Sequence, residues 1–138
     1  MNSITEHGDR LYDALRTALV TAPWRVHRTA PAQLVAPSVY LDACELGEDS
    51  VPSAGLTTVT FPVVAVADGK VEAQVLALEE LLARVWTAVV GINGTPRGSR
   101  PLALDVGTPT LRAHVLRAEF VVVAHTFCAP TLVLNGGN

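Results

Sequence analysis

The chain has 138 residues, of which 49% are hydrophobic and 17% charged. That balance excludes a wholly disordered polymer and fits one domain with a real core. A net charge of −3 without any Lys/Arg cluster argues against a general nucleic-acid binder.

Two cysteines, Cys44 and Cys128, make no disulfide framework. The polar opening (Asn2, Ser3, Thr5, Glu6) does not read as a signal peptide, so a reducing cytoplasm is the expected setting. The longest apolar runs, 63–67 and 120–124, fall far short of the ~20 residues of a membrane span.

Ser3-Ile4-Thr5-Glu6 matches a capping box. Leu11, Leu15, Ala18 and Leu19 then recur at helical spacing, opposite Asp9, Arg10, Asp13 and Arg16. The pattern predicts an amphipathic helix over 4–22, stopped by Pro23. Residues 24–28 and 39–43 alternate as half-buried strands do. The stretch 45–55 (ELGEDSVPSAG) reads as an acidic loop. A long strand is predicted over 56–67, with Val59, Phe61, Val63 and Ala65 on one face, and Pro62 suggests a sheet edge or a bulge.

A second helix is predicted over 71–90. Val71, Val75, Leu78, Leu82, Val85 and Val89 form its stripe, and Leu81 and Trp86 widen it. Gly91 ends that helix, and a Gly/Pro/Arg loop runs to Arg100. Leu102, Leu104 and Val106 mark a further strand. A last one is predicted over 111–126, with an apolar face that changes parity near Leu116, as a bulge would cause. The order suits an α+β fold over residues 1–138: a mainly antiparallel sheet of about five strands with two helices packed on one face.

Residues suited to chemistry are present but scattered. His7, His27, His114, His125, Cys44 and Cys128 show no ligand spacing, so no metal is expected. No G-x-S-x-G occurs, and both cysteines lie in or beside apolar strands. Glu48-Asp49 and Glu79-Glu80 read as solvated surface. The loop 91–98 lacks both phosphate-binding glycine motifs. No catalytic residue and no cofactor is expected.

The layout resembles the tail terminator (tail-completion, minor tail protein U-like) family of long-tailed bacteriophages. The likeness is carried by LYDALRTAL, PWRVHR, SVYLDA, the acidic Gly/Pro loop, LTTVTFPVVAVADG, VEAQVLALEELLARVWTAVV, PLALDVG and LRAHVLRAEFVVV. It implies an α+β subunit of a hexameric ring in the virion tail, assembled in the host cytoplasm. Such a ring caps the tail tube, stops its polymerisation and meets the head-tail connector, while DNA only passes through the lumen and no membrane is involved.

Within such a ring, Glu45, Glu48 and Asp49 of the acidic loop are the candidate subunit contacts, and Arg97, Arg100 and the C-terminal tail the candidate axial contacts. Two alternatives stand beside this reading. One is another connector or tube protein. The other is a small α+β enzyme or ligand-binding module with a site between subunits, for which Asp42, Tyr40, His27 and Asp105 are the candidate residues.

Overall fold

A computed structural model describes residues 3–20, 24–47, 55–68, 72–102 and 111–123. Among these residues are two helices, α1 (Ser3–Ala18) and α2 (Glu72–Gly91). Six strands accompany them: β1 (Arg25–His27), β2 (Ser38–Leu41), β3 (Glu45–Leu46), β4 (Leu56–Asp68), β5 (Thr95–Leu102) and β6 (Leu111–Val123). The sheet runs β1-β2-β4-β6-β5, with β3 joined to β4 beside β2. Pairing is antiparallel except between β1 and β2. The result is an α+β fold with a mixed, six-stranded sheet, one strand richer than the periodicity predicts.

Both helices form because their apolar residues return to one side. On α1, Leu11, Leu15 and Leu19 are buried, while Asp9, Arg10, Asp13 and Arg16 are exposed. The helix closes at Ala18, short of the predicted residue 22. Val20 N–H turns to the Thr17 carbonyl at 3.5 Å, a three-residue bond that tightens the end. On α2, Leu78, Leu81, Val85 and Val89 are buried. Trp86 is 44% exposed, so it does not widen the core stripe; one residue past Val85, it is rotated towards solvent.

α2 ends in a Schellman cap: Gly94 N–H donates to the Val89 carbonyl at 2.9 Å and Asn93 N–H to the Val90 carbonyl at 3.1 Å. Its left-handed residue is Asn93, at φ 65°.

The helices cover one face of the sheet. Their leucines meet Val39, Leu41, Val59, Phe61, Val63, Leu116, Ala118, Phe120 and Val122 in the main core. A second, smaller cluster lies on the opposite face, where Tyr40, Val64, Val66, Ala113 and Val115 are covered by Leu34, Ala36 and Leu102. The connection between the parallel strands β1 and β2 thus crosses the face away from the helices.

This second cluster explains the parity change on β6. All thirteen residues of β6 pair with β4 in one unbroken register, from Asp68↔Leu111 to Leu56↔Val123. No bulge interrupts them. Ala113 and Val115 are apolar because they face the second cluster, and Leu116, Ala118 and Phe120 because they face the helices.

Pro62 lies in the central strand β4, which is unbroken against β6, but on its other side it meets the bulge-like irregularity expected: the register shifts by one residue between Leu41↔Val63 and Glu45↔Thr60. The Pro62 carbonyl accepts Asp42 N–H at 2.9 Å, so its missing N–H faces the same side. On that side β2 stops at Val63 and β3 begins only at Thr60. The proline therefore sits opposite a break between two short neighbours, where a missing donor leaves no ladder bond unmade.

Candidate functional site

The candidate interface residues on the described part of the chain lie on the sheet, not in loops. Glu45 begins β3, whose two residues pair with Thr60 and Val59 of β4. Gly47 N–H then donates to the Thr58 carbonyl at 2.9 Å, and the Thr57 hydroxyl donates to the Gly47 carbonyl at 2.6 Å. The predicted loop over 45–55 thus opens as strand; Glu48, Asp49 and the C-terminal tail lie outside the described residues.

Arg97 and Arg100, predicted in a loop, sit in β5. Pro96, Gly98 and Pro101 look like strand breakers, but among the described strands β5 is the sheet's edge, where a missing outward N–H costs nothing. The register slips between Pro96 and Ser99, and Gly98 takes φ +100° in that irregularity, a conformation that favours glycine.

Strand alternation sends Arg117, Glu119 and Val121 of β6 to the face away from the helices, together with Val115. There Arg97 donates through Nε and Nη2 to Glu119 Oε1 at 3.1 and 2.6 Å. Hydrogen bonding and charge from Glu119 raise the Arg97 pKa above its already high value. Arg117 Nη2 donates to Glu45 Oε1 at 2.8 Å. Arg100 has no ion-pair partner among the described residues. Arg97, Arg100 and Arg117 line a shallow pocket of about 230 Å³ with Gly98, Ser99 and Val115. Sequence spacing did not bring Arg117 to this group, because the register that joins β5 to β6 is a tertiary fact.

The opposite surface of the molecule carries a groove of about 830 Å³ between α1 and α2, lined by Ala14, Ala18, Ala88 and Ile92 and bordered by Arg10, Asp13, Glu80 and Arg84. Arg84 is paired with Glu80 one helical turn away at 2.8 Å. Leu76, Trp86 and Val90 stand exposed along α2.

The residues weighed for chemistry are dispersed. His7 lies on α1, stacked on Phe120 with ring centroids 5.1 Å apart. Burial first, then the neighbouring Arg10, lower its pKa, while Glu6 opposes them. His27 is in β1 and His114 in β6; His125, Cys128 and Asp105 lie outside the described residues. Cys44 is half-buried against the core. Among the described residues no group of three or more His, Cys, Asp or Glu is placed to hold a metal ion.

Glu79 and Glu80 are exposed on α2. His27 and Tyr40 are register partners, but Tyr40 is buried in the second cluster, its pKa raised by burial and by Asp42. Asp42 lines a separate cleft of about 470 Å³ with Thr5, Arg28 and Cys44. Arg28 is already engaged there: its Nε donates to Asp9 at 3.0 Å, and its guanidinium lies 5.9 Å from the Phe61 ring centre. No described helix is long and apolar enough to cross a membrane.

The chain matches no protein-family model and no curated protein.

Proposed function

We propose that this chain is a structural subunit of a phage-type tail: a terminator that joins head to tail into a hexameric ring, caps the tail tube, stops its polymerisation and meets the head-tail connector. DNA passes through the lumen, and the chain performs no catalysis. The resemblance of its layout to tail terminators supports this reading.

One structural observation carries it further: among the described strands, the two ends of the sheet are unlike. β1 is a three-residue edge beside a parallel neighbour. β5 is an eight-residue edge broken by a bulge and carrying Pro96, Pro101, Arg97 and Arg100. Closed rings built head to tail need two different complementary patches on each subunit. The prolines and charges of β5 oppose its pairing with a second β5, which disfavours a symmetric edge-to-edge dimer.

Native mass spectrometry over a concentration series, with and without tail tubes, tests the proposal. A hexamer, free or formed on the tube, is the expected species; a dimer or trimer that persists at every concentration and ignores the tubes refutes it. Deleting 49–54 should weaken ring formation while the monomer stays folded, because the acidic stretch 45–55 is the candidate subunit contact.

A further inference from the structure

We propose that the pocket between β5 and β6 on the face away from the helices is a phosphate-binding site, formed by Arg97, Arg100 and Arg117 around the Gly98 bulge. Three arginines line it and, among the described residues, no Asp or Glu does. Glu119 and Glu45, which pair with Arg97 and Arg117, are not among its lining residues. They hold two of the arginines in place without occupying the pocket, and Arg100 is left without a carboxylate among the described residues. The cluster therefore keeps one net positive charge.

Each guanidinium has five donors in a planar fork. Arg97 commits Nε and Nη2 to Glu119 and retains Nη1; Arg117 commits Nη1 and Nη2 to Glu45 and retains Nε. A tetrahedral oxyanion matches this supply, since its oxygens accept from several guanidinium forks at once and charge-assisted bonds of that kind are short and strong. A pocket of about 230 Å³ has room for a phosphate group. The site is complete within one chain and needs no ring.

The probe is inorganic phosphate, titrated at neutral pH and constant ionic strength into isotopically labelled protein, with chloride as the control and amide shifts as the readout. Saturable shifts centred on Gly98, Ser99 and Arg100 are expected. Arg100→Ala, an exposed substitution whose fold is checked by circular dichroism, should weaken binding about tenfold or more. Arg10→Ala, on α1, should leave it unchanged.

Shifts that fail to saturate, that match the chloride control, or that persist undiminished in Arg100→Ala overturn the proposal. A short DNA duplex separates the two sources of the group. Arg100-dependent binding that phosphate displaces identifies a nucleic-acid backbone, and saturable phosphate binding without duplex binding identifies a small anion.

Discussion

Alanine at position 94 would place a methyl group where no room exists. A Cβ added to Gly94 would lie 2.7 Å from Phe120 Cε1, 2.8 Å from Val89 Cγ1 and 3.0 Å from Phe120 Cζ. Both neighbours are buried, Val89 completely and Phe120 to within 3%. Phe120 is hemmed in further by the stacked His7 ring and by Phe61, whose ring meets it edge-on at 6.4 Å between centroids. Overpacking of this kind costs about 1–3 kcal/mol. The smaller conformational entropy of an unfolded alanine chain offsets about 0.4–1 kcal/mol of that.

A net loss of about 1–2 kcal/mol lowers the melting temperature of a domain this size by roughly 3–7 °C. Thermal and urea unfolding followed by circular dichroism measure it. Gly91→Ala is the matched control. Gly91 ends α2 with nothing within 4 Å of the point a Cβ would occupy, and helix propensity there should raise stability by about 0.5–1 kcal/mol. If Gly94→Ala is as stable as the parent while Gly91→Ala behaves as expected, Phe120 has freedom to shift and the packing argument fails.

The His7 side chain is held below its ordinary pKa by burial and by Arg10, so folding favours its neutral form. The unfolded chain then binds more protons, and this contribution, fully present above about pH 6.5, is lost as pH falls through the folded value. His7→Phe keeps a ring against Phe120 and removes the titration; urea midpoints from about pH 7.5 to 5 should decline less steeply than in the parent, and parallel curves would contradict the assignment. Glu45→Ala breaks an exposed pair with Arg117 and should cost less than about 1 kcal/mol, while amide exchange at Leu46 and Gly47 accelerates. Leu81→Ala, at 1% exposure, should cost roughly 2–5 kcal/mol. Trp86→Ala on the same helix should shift stability by no more than about 0.5 kcal/mol, and a larger loss would show that Trp86 is part of the core.

Both helices and the centre of the sheet were legible in the residues themselves. Leu11, Leu15 and Leu19, or Leu78, Val85 and Val89, declare their shared face through spacing alone, because a helix returns each residue to that face about every turn. Strands β2 and β4 declared themselves by alternation for the same kind of reason.

Tertiary structure decided everything that depended on a neighbour. Pro62 is tolerated in a central strand only because β2 and β3 leave a break opposite it. The prolines and Gly98 of β5 form an edge strand only because β6 supplies a partner on one side. The apparent slip in β6 reflects two apolar clusters on opposite faces, which no single-strand pattern separates from a bulge. The arginine pocket follows the same logic. Arg97 and Arg100 are near in sequence, but Arg117 joins them through antiparallel pairing, with Glu119 and Glu45 brought in from two further positions. Periodicity records which side a residue faces, because the backbone repeats locally; which residues meet there is set by register and strand order, and those exist only once the chain has packed.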